Sequence, residues 1–330
     1  MKYDQLTQKK KELDSFRPLP LELTRNLEDW FKVELTYTSN AIEGNTLTRR
    51  ETAVVIEKGL TVGGKSLREH LEATNHAKAL DFIHYLLKKS PSQLRAQDIL
   101  YIHDIILKSI DDNNAGQYRN VQVRISGSSV IMPNPLKVPD LMSDFQGWLI
   151  SEHGLDPIAF AGEAHYRLVT IHPFVDGNGR SARLLMNLIL MMYGYPPAII
   201  RKRDRLAYIG ALEKGQLGGA KIDYEKLVAK AVDRSLDIYL KAVKGIPAAD
   251  DIDSDGLLKI GDLAKATGAT VSTIRYWTKA GLLEVAEFTE SGYQIYSLAM
   301  VERCKKIKQL KEKRYTLEEI KHLLIQEIQT

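Results

Sequence analysis

The sequence predicts a mainly α-helical protein built from two units. Apolar residues recur at helical spacing along most of the 330-residue chain, and capping boxes at Thr48 and Ser66 mark helix starts. Alternation of apolar and polar residues around 121–129 predicts one short β-hairpin. An acidic, glycine-terminated linker at 247–256 separates this part from a shorter C-terminal part.

Composition indicates a globular protein rather than a disordered or membrane-spanning one. Hydrophobic residues make up 44% of the chain, and the formal net charge of +4 gives no general argument for nucleic acid. The single cysteine, Cys304, excludes an intrachain disulfide and fits a reducing compartment. Neither a signal-peptide core nor an apolar run long enough to cross a bilayer is evident. We therefore expect a cytoplasmic protein without a membrane partner.

Residues 1–90 are predicted to form an N-terminal helical region. Apolar residues at helical spacing define a helix over about 26–44, and Gly44 fits its C-terminal stop. Glu43 then lies in the last turn, where a carboxylate opposes the helix dipole. This suggests a cationic partner elsewhere in the chain, with a solvated side chain as the alternative.

The second predicted region is 91–246, which contains the hairpin and several helices. Asp156 and Pro157 are a favourable N-cap and first helical residue, and they begin a helix that runs through Ile171. Over the first two regions, the further helices are predicted at 48–58, 66–89, 92–110, 180–193, 204–214 and 223–244.

The loop HPFVDGNGR, from His172 to Arg180, is the feature on which a function is predicted. Its proline and glycines interrupt a helical region just before a largely apolar helix, so the loop lies at a helix N-terminus. Unpaired backbone N–H groups there favour anions, and Gly177 and Gly179 would let the backbone approach a ligand closely. The loop therefore predicts a phosphate site.

Side chains of the loop support a nucleotide as the ligand. Asp176 is a hard ligand suited to Mg²⁺, while Arg180 and Arg183 offer bidentate donors to phosphate. His172 supplies a base that titrates near neutral pH. An isolated histidine is more often a structural core residue, but the surrounding groups favour a chemical role for this one.

The segment from His172 to Arg183 resembles the full signature of the Fic (Fido) family, HPFx(D/E)GN(G/K)RxxR. The resemblance covers roughly residues 20–245, including Gly116–Arg119 before the hairpin. It implies a Fic-type helical core and a nucleotidyltransferase, with ATP as the substrate and Mg²⁺ as the cofactor. AMP would pass to a Tyr, Ser or Thr hydroxyl of a target protein. A phosphotransferase version of the fold typically has lysine in place of Gly179, so kinase chemistry is disfavoured.

The resemblance also implies a role for each loop residue. His172 would take the proton from the attacking hydroxyl, and Asp176 would hold Mg²⁺. The residues implied to bind the nucleotide phosphates are Gly177, Asn178, Gly179, Arg180 and Arg183. His165, two helical turns before the loop, is predicted to pack beneath the site.

Ser39–Gly44 resembles the inhibitory motif of the same family, (S/T)xxxE(G/N). The resemblance implies that Glu43 pairs with Arg183 and so occupies the donor meant for the γ-phosphate. Ser39, one turn upstream, would anchor the helix by hydrogen bonding. We expect an auto-inhibited enzyme; in some family members the same glutamate also supports removal of AMP.

Two further segments resemble parts of the family's substrate site. The hairpin resembles a flap over the nucleotide that pairs with an extended target segment, with an ordinary structural hairpin as the alternative. Arg205–Tyr208 resembles a stretch whose tyrosine helps to enclose adenine, so Tyr208 would contact the nucleotide. The residues expected in the flap are Ile125, Ser126, Gly127 and Ser128.

The C-terminal region, 257–330, predicts a helix-turn-helix followed by a wing. Two short helical patterns, 260–268 and 270–277, flank a glycine turn, and 288–296 has the pattern of a β wing. The region resembles the winged helix-turn-helix of the MerR family, which implies DNA contacts. The implied contact residues are Arg275, Tyr276 and Lys279.

The sequence is also compatible with other functions of the two regions. The MerR-like region could instead dock a protein, because Gln294 stands where the wing usually carries arginine. The alternative of a different class is a DNA-binding regulator in which the Fic-like core serves as a nucleotide sensor. The intact signature favours the enzyme, since a sensor would not need His172. A homodimer is compatible with either function.

Overall fold

The computed structural model describes residues 3–152, 154–246, 257–285, 287–288, 294–297, 299–313 and 315–326. The chain divides into two compact units, Met1–Pro247 and Ala248–Thr330. The predicted linker at 247–256 lies outside the described residues, as does the tip of the predicted wing at 289–293.

The first unit is helical, as predicted, and its described residues contain ten α-helices. They are α1 (Asp4–Asp14), α2 (Leu21–Ile42), α3 (Arg49–Lys58), α4 (Leu67–Leu86), α5 (Ala96–Leu107), α6 (Val138–Ile150), α7 (Pro157–Ile171), α8 (Asn178–Met192), α9 (Arg205–Gln216) and α10 (Ile222–Val243). Helix α6 was not predicted from the sequence. None of the described helices combines the length and the apolarity needed to span a bilayer.

Helix α8 lies at the centre of this unit. Every residue from Arg180 to Leu190 is buried, and the helix packs against α7 most extensively and also against α2, α4 and α5. A helix that is buried on all sides carries apolar residues all around, which explains the run rich in Leu, Ile and Met from Leu184 to Met192, interrupted only by Asn187, whose side chain hydrogen-bonds to the backbone of Ala198. Burial of each such side chain stabilises the fold by about 1.5–3 kcal/mol. This packing fixes the position of the loop before α8.

Helix ends follow the local signals in the sequence. The capping boxes at Thr48 and Ser66 are formed, with each side chain accepting from the backbone three residues on. Helix α2 begins at Leu21, earlier than predicted, and ends with Glu43 as its C-cap, followed by Gly44 at φ +101°. The last turn of α2 has no basic residue of its own.

The predicted hairpin folds back on itself without forming a strand ladder. A turn joins Ile125 to Ser128, with an N–H···O distance of 3.1 Å, but no strand is assigned at 117–134. Side chains join the two arms instead, because Gln122 Nε2 donates to the carbonyl of Met132 at 2.9 Å. Apolar alternation therefore predicted the turn, whereas side-chain donors replace the expected backbone pairing.

The second unit contains the predicted helix-turn-helix. Helices α11 (Ile260–Thr267) and α12 (Val271–Lys279) are separated by a turn in which Gly268 has φ +63°. Strands β1 (Leu257–Lys259), β2 (Glu287–Phe288) and β3 (Gln294–Ser297) form an antiparallel sheet in the order β1-β3-β2. Helices α13 (Ala299–Glu312) and α14 (Leu317–Gln326) complete the described part.

Candidate functional site

The loop between α7 and α8 is held by a short internal hydrogen-bond ring. Asn178 Oδ1 accepts from the backbone N–H of Phe174, and Asn178 Nδ2 donates to the carbonyl of the same residue, both at 2.9 Å. Phe174 is fully buried. The side chain of Asn178, predicted to contact phosphate, is thus already engaged in holding the loop.

His103 of α5 supports the loop from below and was not singled out from the sequence. Its ring stacks on Phe174 with the centroids 3.6 Å apart. Nδ1 accepts from the N–H of Gly116 at 3.1 Å, so Nε2 carries the proton and donates to the carbonyl of Asp176 at 2.9 Å. Burial lowers the pKa of His103 to about 4, which keeps the ring neutral. A Cβ at Gly177 would approach this ring within 3.2 Å, so glycine fits best there.

His172 ends α7 in a left-handed conformation, with φ +51° and ψ +60°. Such a backbone costs on the order of 1–3 kcal/mol for a residue other than glycine. Nδ1 lies 3.4 Å from the carbonyl of Val169, a long contact that favours the proton on Nδ1 and leaves Nε2 as the basic nitrogen. Burial lowers the pKa of His172, and the nearby charge of Arg119 lowers it further. A neutral imidazole at pH 7 is the form that can accept a proton.

Asp176 lies within a network of cations at the loop. Its Oδ1 accepts from the N–H of Gly177 at 2.6 Å and from Arg180 at 3.3 Å, while Oδ2 accepts from Arg68 at 2.9 Å. Burial would raise the pKa of Asp176, but the two arginines and the N–H outweigh it and lower the pKa. Asp176 is therefore an ionised, partly exposed carboxylate of the kind that Mg²⁺ prefers. No motif pointed to Arg68, since α4 is remote in the sequence.

Arg180 is the most unusual side chain of the site. It is only 2% exposed, and its Nε and Nη1 have no hydrogen-bond partner. The nearest carboxylate to Nη1 is that of Glu72, at 3.6 Å. Buried polar nitrogens are nearly always hydrogen-bonded, so Nε and Nη1 of Arg180 are exceptional, with only the long ion pair between Nη1 and Glu72.

Glu43 and Ser39 of the α2 region meet Arg183 of α8. Arg183 Nη2 donates to Glu43 Oε1 at 2.7 Å and to the carbonyl of Ser39 at 2.9 Å, and Nε donates to Ser39 Oγ at 3.0 Å. Burial would lower the pKa of Arg183, but Glu43 and Tyr208 outweigh it and raise the pKa. The carboxylate contacts Nη2 alone, rather than forming the bidentate pair expected from the sequence.

The carboxylate of Glu43 also covers the N-terminus of α8. A Cβ built at Gly179 would overlap Glu43 Oε1, so the carboxylate sits where a side chain at 179 would have to be. Arg205 of α9 supports this arrangement, because its Nε donates to the carbonyl of Ile42 at 2.6 Å. A cation at a helix C-terminus offsets the unfavourable charge of Glu43 there.

Tyr208 lies beneath Arg183 and does not line an open adenine site as predicted. It is 2% exposed, and its hydroxyl lies 2.7 Å from His165 Nε2. Tyr224 donates to the carbonyl of Gly162 at 2.9 Å, so its oxygen accepts from His165 Nδ1 at 2.8 Å. It follows that Tyr208 donates to Nε2 and turns its oxygen toward Arg183. His165 thus packs beneath the site, as expected, and burial lowers its pKa to about 3.

The flap turn is attached to α9. Ser128 Oγ and the N–H of Ser129 both donate to Glu213 Oε1, at 2.9 and 2.8 Å. Gly127 has φ +77° and is exposed together with Ser126, while Ile125 and Ser128 are half-buried. The tip of the turn is therefore exposed, while its Ser128–Ser129 end is held by Glu213 of α9.

The predicted DNA contacts share one face of α12. Arg275, Tyr276 and Lys279 are all exposed, with Tyr276 at 57%. Ile274 and Trp277, on the opposite face, are buried in the core of the second unit. The helix therefore presents two cations and an aromatic ring together.

Family models match both units. Residues 93–190 match the Fic/DOC family, and residues 258–327 match the MerR HTH family regulatory protein family. The first match contains α5, α7 and the loop, and the second contains α11 and α12.

Relatives and solved structures agree with the first match. The protein adenylyltransferase Fic of Nematostella vectensis is 37% identical over 246 residues, covering 74% of this chain and 57% of that protein. The corresponding protein of Culex quinquefasciatus is 37% identical over 243 residues, covering 73% of this chain and 48% of that protein. The chain thus spans about half the length of the curated relatives it matches.

Residues 134–508 of Fic-1 from C. elegans superpose with a TM-score of 0.68 at 34% identity, covering 74% of this chain and 72% of that chain. A Fic domain containing signaling protein from Bacteroides thetaiotaomicron gives a TM-score of 0.66 at 30% identity, covering 75% of this chain and 99% of that chain. This chain belongs to the Fic/DOC family.

Proposed function

We propose that the protein is a protein adenylyltransferase, which transfers AMP from ATP to a Tyr, Ser or Thr hydroxyl of a target protein. Two features of the same loop region carry the proposal: the lowered pKa of His172 keeps its ring neutral at pH 7, and Arg180, in the first turn of α8, is buried with two nitrogens that make no hydrogen bond. One group accepts a proton and the other receives an anion, which are the two requirements of this reaction.

The phosphates of ATP would lie at the N-terminus of α8. Nε and Nη1 of Arg180 and the backbone N–H groups of Asn178 and Gly179 would donate to phosphate oxygens. Asp176 would hold Mg²⁺, since an ionised carboxylate is the kind of ligand that this ion prefers. When bound, Mg²⁺ supplies charge neutralisation on the pyrophosphate. The ionised, partly exposed state of Asp176 fits this role.

The transfer step needs a base on the side of the target hydroxyl. The hydroxyl oxygen forms a new bond to the α-phosphorus, the bond from that phosphorus to the α,β-bridging oxygen breaks, and pyrophosphate leaves. The hydroxyl proton passes to Nε2 of His172. The lowered pKa of His172 supports this role, because the ring is already neutral at physiological pH.

We propose further that Glu43 holds the enzyme in an inhibited state. Its carboxylate occupies Nη2 of Arg183 and places a negative charge where the γ-phosphate would bind. Ser39 contacts the same arginine through its carbonyl and hydroxyl, which ties α2 to α8. ATP would then bind in an unproductive position or not at all.

Label transfer from α-labelled ATP tests the proposed function. Purified full-length protein carrying Glu43→Gly should label itself or added proteins, and labelling should be lost when His172→Ala is added. Mass spectrometry should locate AMP on Tyr, Ser or Thr. Absence of label in Glu43→Gly at saturating Mg²⁺ and ATP would contradict the proposal.

A second function, DNA binding through α12, is favoured by the shared exposed face of Arg275, Tyr276 and Lys279. Cations that contact phosphate make binding fall with salt, by about one unit of logarithmic slope each. A gel-shift series against salt should show this slope, and Arg275→Ala should reduce it. If no duplex is bound at any salt concentration, the result would argue for protein docking instead.

A further inference from the structure

Arg119 lies at the start of the flap segment, 117–134, where this segment contacts the loop between α7 and α8. It is only 3% exposed. Its Nε donates to the carbonyl of His172 at 2.7 Å, Nη1 to that of Val121 at 3.0 Å and Nη2 to that of Pro133 at 2.6 Å. Its backbone N–H donates to the carbonyl of Pro173 at 2.9 Å. One residue therefore contacts both arms of the flap and the residue that bears the proposed base.

The chemistry of these contacts points to a geometric role. Every hydrogen-bond acceptor of the Arg119 side chain in the described structure is a neutral carbonyl, so the guanidinium is not there to balance a carboxylate. A planar fork with five N–H donors can fix several carbonyls at set angles, whereas the single ammonium of lysine cannot. The residue acts as a rigid junction between separate segments.

His172 needs such a support because its backbone is left-handed. A strained conformation persists only where the surrounding structure determines it, and Arg119 holds its carbonyl directly. The flap has other attachments, since Gln122 joins its arms and Glu213 holds its turn. In the described structure those attachments do not involve His172, so the contact between flap and base runs through Arg119.

We infer that Arg119 is a positioning residue that couples the flap to His172, so that the segment registering the target and the group deprotonating it move as one. This inference rests on the proposed transfer reaction. Arg119 contacts neither Arg180 nor Arg183 in the described structure, so nucleotide binding should not depend on it. Loss of Arg119 should therefore impair transfer and leave the affinity for ATP unchanged.

The test uses full-length protein in the Glu43→Gly background. Arg119→Gln should slow AMP transfer about 100-fold, as expected when reacting groups are misplaced by about 1 Å, while Arg119→Lys should be intermediate. Affinity for an α,β-methylene analogue of ATP, measured by calorimetry, should stay within twofold. Amides at 120–134 should exchange hydrogen faster. Arg95→Gln is the matched control, because Arg95 also donates to backbone carbonyls, those of Ser92 and Leu94, at 3.0 and 2.9 Å.

The outcomes separate this inference from the proposed function. Unchanged transfer, or a loss of analogue affinity that parallels the loss of transfer, would overturn the positioning role. Where Arg119→Gln fails to fold, Arg119→Lys carries the test. If Glu43→Gly itself transfers no AMP, the proposed function fails, and hydrogen exchange at 120–134 together with the imidazole signal of His172 in ¹⁵N spectra still decides the coupling. Both should change in the Arg119 variants, and their constancy would overturn it.

Discussion

The carboxylate of Glu43 and the guanidinium of Arg183 meet at 2.7 Å, although 140 positions separate them in the sequence. The contact forms at the N-terminus of α8, which is also the proposed phosphate site. A carboxylate and a phosphate present the same charge and the same acceptor oxygens to an arginine. On the proposed function, the ion pair and the γ-phosphate of ATP would be alternatives for this position.

The first prediction concerns the charge of Glu43. Glu43→Gln keeps the shape of the side chain and removes its charge, so Arg183 becomes available to phosphate. A hydrogen bond to a charged group contributes about 1.5–3 kcal/mol, so label transfer should rise on the order of 10- to 100-fold. The same change at exposed Glu57 of α3 should have no effect. Equal labelling by wild type and Glu43→Gln would count against inhibition by this pair.

The second prediction concerns Arg180. Arg180→Met removes two buried nitrogens without hydrogen bonds, each of which costs about 1–3 kcal/mol, and this gain offsets the lost ion pairs with Asp176 and Glu72. The free energy of unfolding should change by less than about 2 kcal/mol, against roughly 3–5 kcal/mol for breaking an ordinary buried ion pair.

Nucleotide binding should respond quite differently to this substitution. ATP at a hundred times its dissociation constant stabilises a protein by about 2.7 kcal/mol, and Arg180→Met should abolish that protection. Thermal unfolding with and without ATP in the Glu43→Gly background measures both effects. Full protection in the variant would show that the unpaired nitrogens do not receive the phosphate.

The third prediction follows from three buried histidines. Burial lowers the pKa of His76 and His165 to about 3 and that of His103 to about 4, all below the ordinary 6.5. Below pH 6.5 the unfolded chain binds protons that the native protein refuses, so stability rises with pH and is lost as pH falls from 6.5 toward 4. Each histidine contributes up to about 1.4 kcal/mol per pH unit.

Urea unfolding between pH 5 and 7.5, followed by tryptophan fluorescence, measures this slope. His76 is the best of the three to substitute, because the described structure shows one hydrogen bond for its ring, to Thr36 at 3.2 Å, and two for each of the others. His76→Gln should reduce the slope by up to one proton, while the same change at exposed His84 should leave it intact. An unaltered slope in His76→Gln would mean that this ring is protonated in the native protein.

The fourth prediction concerns the hydroxyl of Tyr208. Tyr208→Phe leaves His165 Nε2 without a hydrogen-bond partner and removes one of the partners of Arg183, which should cost about 1–3 kcal/mol of stability. Tyr193→Phe is the control, because that residue is 41% exposed. Chemical denaturation compares the two. Equal stability of both variants would place the phenol outside the hydrogen-bond chain.

Much of the site was predictable because its chemistry lies in one short segment. The loop from His172 to Arg183, its place at a helix N-terminus and the partner expected for Glu43 all appear in the structure. The capping boxes also determined where α3 and α4 begin. Local hydrogen-bonding patterns are written in consecutive residues, so sequence spacing is enough to find them.

The supporting residues were not predictable in this way. His103, Arg119 and Arg68 reach the loop from other elements, through backbone carbonyls for the first two and through Asp176 for Arg68. Of the three, only Arg119 lay in a segment noted for the family resemblance, and its contacts with the loop could not be read from that segment. Tyr208 was expected beside adenine, but the short stretch around it carries no information on burial. Its position depends on packing against α7 and on the hydroxyl of Tyr224, which only the fold brings together.

The contact between Glu43 and Arg183 is sensitive to any side chain introduced at position 179. The space above it is filled by the end of a flexible carboxylate side chain, which moves easily, rather than by backbone. Any substitution that adds even a methyl group would displace Glu43 without altering a single charged residue. The same methyl group would stand where phosphate is proposed to approach the backbone, so we expect it to weaken the phosphate site together with the Glu43–Arg183 contact.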